Sequence, residues 1–292
     1  MRVLFIAPGV KQNWASSRYR CQWIAEHLDE AVLVDAEEIM RGEYFPTNFD
    51  VYVFEKIGSP SIQKELLKLG KQVWWDVCDP TWWWSPGDVN GIIENVTGMV
   101  ASCPSLAEDL SEWSGKQAHC ITDRLNMQHY NHRKEHSEVE PVRLIWYGSA
   151  QNRIALFAAL ANLERAANDG YKIALTIYDN MPEKSFEYLN LPIYYSKWNI
   201  DTEVNVISAH DIALLPPYPG PWGKVKSNNK ALTAWACGLP VTDAQYYKQL
   251  TYLLDSHIAR QEDANDGYKV LVDRYTIEKS VEEWKELWTS QR

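Results

Sequence analysis

The 292-residue sequence lacks any apolar run approaching the ~20 residues that span a bilayer, so no transmembrane segment is expected. Met1-Arg-Val-Leu-Phe-Ile-Ala-Pro-Gly9 starts like a signal peptide, but it is too short and has no small-residue cleavage site. It reads as a first buried strand. The five cysteines, Cys21, Cys78, Cys103, Cys120 and Cys237, are odd in number and form no C-x-x-C pair. That argues against a disulfide framework and for reduced thiols in a cytoplasmic protein. Excess positive charge is missing too: the formal net charge is -10. A phosphate-tracking surface is usually basic, so a nucleic-acid partner is disfavoured, although a local basic cleft survives such an average. No repeat of solenoid length is present. His129, His132 and His136 lie in a polar, charged stretch without a strand or helix scaffold, and no metal site is expected there.

What is present is a regular alternation. Apolar runs at 3–7, 31–34, 51–54, 72–76, 99–102 and 119–122 read as strands. Helix-like stretches at 16–28, 61–69 and 105–113 fall among them, the last opened by a Ser105/Glu108 pair that fits a capping box. The stretch 127–141 is polar, dense in histidine and charge, and reads as a linker. After it the pattern resumes: strands at 143–147, 173–178, 193–195, 212–215 and 240–242, helices at 152–168 and 202–208, and a terminal amphipathic helix at 276–288. Such alternation implies parallel sheets covered on both faces, the doubly wound α/β class. The expected layout is a Rossmann-like domain over 1–126, the linker 127–141, a second Rossmann-like domain over 142–275, and a helix over 276–292. The 14 tryptophans are the compositional oddity; core and interface packing is the expected role of most.

Ligands of doubly wound sheets bind at the C-terminal ends of the strands. In the first half those ends carry Gly9, then Ser16-Ser17-Arg18-Tyr19-Arg20 at a helix start, where serine and arginine suit an anion; capping serines with surface arginines are the alternative. Glu55-Lys56 reads as an exposed ion pair. Asp76-Val-Cys-Asp79-Pro80, followed by Trp82-Trp83-Trp84, sets two carboxylates beside three indoles. Consecutive side chains cannot all face one core, so at least one tryptophan meets solvent, a ligand or the other domain. In the second half, Gly148-Ser149 ends a strand and Arg153 follows.

The densest signal is Asp211-Ile-Ala-Leu-Leu-Pro-Pro217, then Lys224-Val-Lys-Ser-Asn-Asn-Lys230, then Trp235-Ala-Cys-Gly-Leu-Pro-Val241. A strand feeds a helix whose first turn carries lysine, serine and asparagine, where free N–H groups and the helix dipole favour an anion. This run resembles the nucleotide-sugar site of GT-B glycosyltransferases of the family-four type. The resemblance implies two doubly wound domains facing across a cleft, with the terminal helix crossing back to the first. It implies transfer of a sugar from a UDP- or GDP-linked donor to a glycan, lipid or small-molecule hydroxyl, with retention of configuration and no required metal or other cofactor. Carried onto this sequence, the donor site is Gly148, Ser149, Arg153, Lys226, Ser227, Asn228, Asn229 and Lys230. The acceptor side is Gly9, Arg18, Asp76, Asp79 and Trp82, with Asp79 and Lys230 as the catalytic pair. The chain departs from the pattern in four places, one of them Asp179, where the family often has glycine. Ser149 stands where a basic residue is usual, and the family's two glutamates fall on Thr233 and near Val225 or Lys226. The alternatives are a catalytically silent GT-B protein that binds a saccharide, a nucleotide or a partner, and a glycosyltransferase acting on modified nucleic-acid bases.

Overall fold

The computed structural model describes residues 1–41, 45–181, 183–186 and 189–290. The chain forms two compact units. Unit 1 is Met1–Leu125 with Lys224–Ser227 and Tyr275–Arg292; unit 2 is Asn126–Gly223 with Asn228–Arg274.

Unit 1 is built on six parallel strands: β1 (Val3–Ala7), β2 (Ala31–Asp35), β3 (Val51–Glu55), β4 (Gln72–Val77), β5 (Gly98–Ala101) and β6 (Ala118–Cys120), in the order β2-β1-β3-β4-β5-β6. Every residue of β1 and β3 is buried, which is why β1 and the first four residues of β3 read as unbroken apolar runs. The helices Pro60–Lys68, Pro86–Ile93 and Pro104–Ser114 each open on proline, whose missing N–H costs nothing in a first turn. Ser105 is therefore inside its helix rather than capping it. Cys103 holds the cap position, and the Ser105 hydroxyl donates instead to the carbonyl of Lys224 at 2.7 Å.

The last helix, Ile277–Ser290, belongs to unit 1; residues 291 and 292 lie outside the described residues. Its Trp284 and Trp288 stack at 5.3 Å and are fully buried, Trp284 standing perpendicular to Trp74 at 5.9 Å. The short segment Lys224–Ser227 is also part of unit 1. Val225 is buried in the same core cluster as Trp82 and Leu106, and Cys103 Sγ lies 3.4 Å from its carbonyl.

Unit 2 carries five parallel strands: β7 (Val142–Gly148), β8 (Ile173–Asp179), β9 (Ile193–Lys197), β10 (Ile212–Leu214) and β11 (Val241–Thr242), in the order β11-β10-β7-β8-β9. The stretch 127–141 is not a solvated tether. His136 Nε2 pairs with the Gly238 carbonyl at 2.9 Å, Arg133 donates to the Ala264 carbonyl and Asn265, and the Lys134 ammonium meets Asp211 at 3.0 Å. Burial lowers His136 to about 4, so the ring is neutral. Gly238, at φ +81, leaves the space this packing uses; a Cβ there would lie 2.7 Å from Arg133 and 2.8 Å from the Lys134 backbone. The polarity of the stretch serves buried carbonyls and a buried carboxylate.

Strand order reverses direction between β1 and β3 in unit 1 and between β7 and β10 in unit 2. Those two points are where crevices open at strand ends.

Candidate functional site

In unit 2 the crevice is floored by Gly148. Lys230, in the first turn of the helix Asn229–Ala236, lays its ammonium over this glycine: a Cβ on Gly148 would lie 2.8 Å from Lys230 Nζ. The same ammonium sits 5.2 Å from the Trp146 ring centroid. Tyr147 pins the lysine's backbone by donating its hydroxyl to the Lys230 carbonyl at 2.5 Å. Asn228 occupies the cap position without a side-chain cap bond. The first N–H groups of this helix have no carbonyl one turn back, and the dipole adds partial positive charge. Ser149 begins a 3-10 turn, Ala150–Leu156, its carbonyl taking the Asn152 N–H at 2.8 Å. Thr233, at the position of one family glutamate, is 3% exposed and faces the Tyr130 hydroxyl at 3.3 Å.

Arg153 is used otherwise than the resemblance implies. Its guanidinium clasps Asp179 at 2.6 and 3.0 Å, then reaches the Glu183 carbonyl at 2.6 Å, Ser185 Oγ at 2.5 Å and the Met181 carbonyl. Asp179 is fully buried. The arginine thus holds the loop after β8, and a ligand would have to displace a buried pair to use it. Asp179, at the end of the strand beside β7, is the sequence signal for that partner.

In unit 1 the corresponding glycine lies under an indole that is itself half exposed. Gly9 has φ +66, and Trp14 closes on it so tightly that a Cβ would lie 2.2 Å from the indole. Arg18 is buried, donating to the Asn13 carbonyl at 2.6 Å and lying 5.9 Å from the Trp23 ring centroid. Asp76 is fully buried in a two-pronged pair with Arg20, at 2.9 and 2.6 Å. Arg20 also donates to the Ile121 carbonyl at 2.5 Å and to Asp123 at 3.3 Å. Arg20 leaves from the π-helical turn Arg18–Gln22, a widening that often marks functional segments. Asp76 and Arg18, both expected to meet an acceptor, are therefore interior groups. Burial with compensation explains both, since a buried charge survives only when paired or hydrogen-bonded.

Asp79 lies at the rim, where two ammonium groups meet it: Lys56 at 2.7 Å and Lys226 still closer. Burial alone would raise Asp79, but Lys56 and then Lys226 outweigh it, and the carboxyl titrates below its ordinary value. Lys56 reaches Asp79 from a left-handed backbone, φ +59. Glu55 is not its exposed partner, as expected from sequence, but is fully buried. Burial pushes Glu55 up to about 8 against the opposing charge of Lys56. Ser227 donates to Asp123 at 2.5 Å. Of the expected donor residues, then, Lys226 and Ser227 engage carboxylates of unit 1. Gly148, Ser149, Asn228, Asn229 and Lys230 belong to unit 2.

The tryptophan run splits by direction. Trp82 is 2% exposed, packed on Trp75 and Trp113, and donates to Asp109 at 2.8 Å. It cannot stack on an acceptor. Trp83 and Trp84 are 41% and 51% exposed. A 3-10 turn, Thr81–Trp83, swings successive side chains apart, so one indole buries and the next emerges.

Among the described residues, no group of three or more His, Cys, Asp and Glu is placed to hold a metal ion, and no helix is long and apolar enough to cross a membrane.

No family model matches the sequence, and no curated protein matches it. Solved structures do match in fold. An alpha-glucosyltransferase in complex with UDP and a 13-mer DNA containing a central A:G mismatch is 10% identical, with 99% of this chain and 100% of that one covered at a TM-score of 0.69. S. aureus TarM, in complex with Fondaparinux, alpha-GlcNAc-glycerol and UDP, is 13% identical at a TM-score of 0.57, with 82% of this chain covered. The chain spans only 55% of TarM's length. A trehalose 6-phosphate synthase from Burkholderia multivorans is 10% identical at a TM-score of 0.58, with 84% and 71% covered. These likenesses, with the two parallel sheets, place the chain in the GT-B fold of two Rossmann-like domains.

Proposed function

We propose that this protein is a nucleotide-sugar glycosyltransferase, transferring a sugar from a nucleoside-diphosphate donor to a hydroxyl acceptor. The carrying observation is the Lys230 ammonium held over Gly148 at the switch point of unit 2. A glycosyl transfer leaves a diphosphate carrying new negative charge. A fixed cation beside a helix N-terminus stabilises that charge as it develops. Gly148, Ser149, Asn228, Asn229 and Lys230 form the donor set in this reading. UDP is the favoured nucleoside diphosphate, because solved structures of this fold hold it; GDP is the alternative. Retention of configuration and the absence of a metal requirement belong to the proposal. The unpaired cysteines support a cytoplasmic setting.

Unit 1 supplies the acceptor side. Asp79 stays ionised at neutral pH, so it can accept a hydrogen bond from an acceptor hydroxyl and orient it. Its lowered proton affinity makes it a weak general base, so orientation is its larger contribution.

The test is a panel of UDP- and GDP-sugars incubated with the protein, with diphosphate release and thermal stabilisation measured together. A cognate donor held at 100 times its dissociation constant stabilises by ~2.7 kcal/mol. Stabilisation by UDP with no slow diphosphate release from any donor would favour the silent binding protein. Thr233 in place of a ribose-binding carboxylate speaks for that reading. Transfer to modified DNA bases is favoured by the DNA held in one similar structure, against which net charge alone carries little weight. Salt-sensitive duplex binding would support it.

A further inference from the structure

Lys56 stands in a backbone conformation that the fold does not require of a lysine. It follows β3 directly, at the switch point of unit 1, where crevices open at strand ends. Its φ of +59 lies in the left-handed region, and the Ile57 N–H closes a three-residue turn on the Glu55 carbonyl at 2.7 Å. With a positive φ such a turn is the rare, strained form. The Lys56 N–H is pinned to the Asp76 carbonyl at 2.8 Å. A glycine would take this conformation without the penalty that a Cβ brings. Strain kept by a side chain that the turn itself does not need is characteristic of functional sites.

The side chain leads from that turn to Asp79. The Lys56 ammonium lies 2.7 Å from Asp79 Oδ2, while Lys226 takes Oδ1. Cys78 Sγ lies 3.9 Å from the same Oδ2 and 3.8 Å from Glu55 Oε1. Lys56 and Glu55 come from the end of β3, Cys78 from just after β4, and Lys226 from the segment Lys224–Ser227. Burial pushes the Cys78 thiol up, and Glu55 up to about 8, so both are neutral near pH 7 and the two lysines set the charge around Asp79. Burial on its own would raise Asp79; Lys56 is the larger of the two charges that lower it. The Lys56 and Asp79 side chains are 22% and 18% exposed, so the carboxylate is reachable from solvent. Each lysine takes one bond of a carboxylate that can accept about four, which leaves room for a hydroxyl.

We infer that Lys56 is a positioning residue for the acceptor: a strained turn sets its ammonium on one oxygen of Asp79 and holds the carboxylate in place for an acceptor hydroxyl. This rests on Asp79 facing the acceptor in the transferase reading. The parent is incubated with UDP-glucose, UDP-galactose, UDP-N-acetylglucosamine and GDP-mannose in turn, water serving as the hydroxyl, and the fastest donor is carried forward. In Lys56→Gln, kcat for diphosphate release should fall about tenfold or more while the donor KM stays within about twofold. Lys56→Arg keeps the charge and should stay within about threefold of the parent. The acid limb of the kcat profile should move to higher pH in Lys56→Gln, because Asp79 loses the larger charge that lowers it, and stay in place in Lys56→Arg. Lys56→Ala and Lys56→Gly should lose activity alike. The glycine variant should nonetheless resist urea better than the alanine variant, since relief of the turn outweighs glycine's extra freedom when unfolded. A parent that releases diphosphate from none of the four donors removes the transferase reading and this inference with it. With an active parent, the inference alone is overturned if Lys56→Gln keeps the parent's rate and pH profile, or if Lys56→Ala is as stable as Lys56→Gly.

Discussion

Each unit ends its first strand near a glycine, and the two glycines serve different ends. Above Gly9 lies the indole of Trp14; above Gly148 lies the ammonium of Lys230. Each unit also carries an arginine just beyond that strand, paired with a buried aspartate at the end of another: Arg20 with Asp76, Arg153 with Asp179. The arginine pairs are alike and stabilise strand-end loops. The glycines differ, and the difference decides which crevice suits an anion. One architecture thus sets an indole from the following loop over the glycine of unit 1 and a lysine from a later helix over that of unit 2.

Breaking the shared feature should have the largest effect. Arg20→Met leaves Asp76 and Asp123 buried without their cation, and should cost ~3–5 kcal/mol in urea unfolding. Arg153→Met should fall toward the lower end of that range, since its side chain is 11% exposed against 1% for Arg20. Equal and negligible losses would show that neither pair matters to the fold.

The cationic floor comes next. Lys230→Ala should lower UDP affinity by ~1.5–3 kcal/mol, the worth of a charge-assisted contact, and leave unfolding unchanged. Affinity within twofold of the parent would take Lys230 out of the donor site.

The glycines themselves give the sharpest contrast. Gly9→Ala drives a methyl group into Trp14 and should destabilise by ~1–3 kcal/mol without altering UDP binding. Gly148→Ala, at φ +155, strains the backbone and presses on the end of Lys230, so it too should destabilise, and its distinctive outcome is an added loss of UDP affinity. If both variants lost affinity alike, the two crevices would not be functionally distinct.

The last contrast is one of pH. The folded Glu55 carboxyl titrates at about 8, above its ordinary 4.5. Its protonated form therefore stabilises the fold fully below pH 4.5, and that contribution is lost as pH rises through about 8. Glu55→Gln should flatten the fall in melting temperature across this window. A parent and variant with parallel pH profiles would place Glu55 in water.

Much of the fold is legible in the chain because buried parallel strands leave unbroken apolar runs, as in Val3–Ala7 and residues 51–54. The helix His257–Arg274 is not among the elements that the pattern announces. Its buried positions include Ala259, Ala264 and Gly267, small residues that give a weak period; Gly267 lies so close under Trp235 that a Cβ would meet the ring at 2.2 Å. At the site, the glycine and the lysine of the donor crevice are legible as residue types. Which tryptophan of 82–84 turns outward is not, since a 3-10 turn and an aspartate on a later helix decide it.

The sequence by itself determined two alternating α/β halves, the glycines at the strand ends and a lysine at a helix start. Local pattern encodes those, because burial and turn geometry repeat along the chain. Only the tertiary structure decided which charges are spoken for. Lys226 meets Asp79 across a separation of 147 residues, and Ser227 meets Asp123 across 104. A Coulomb partner is chosen by distance in space, and nothing in the spacing of like and unlike charges along the chain records it.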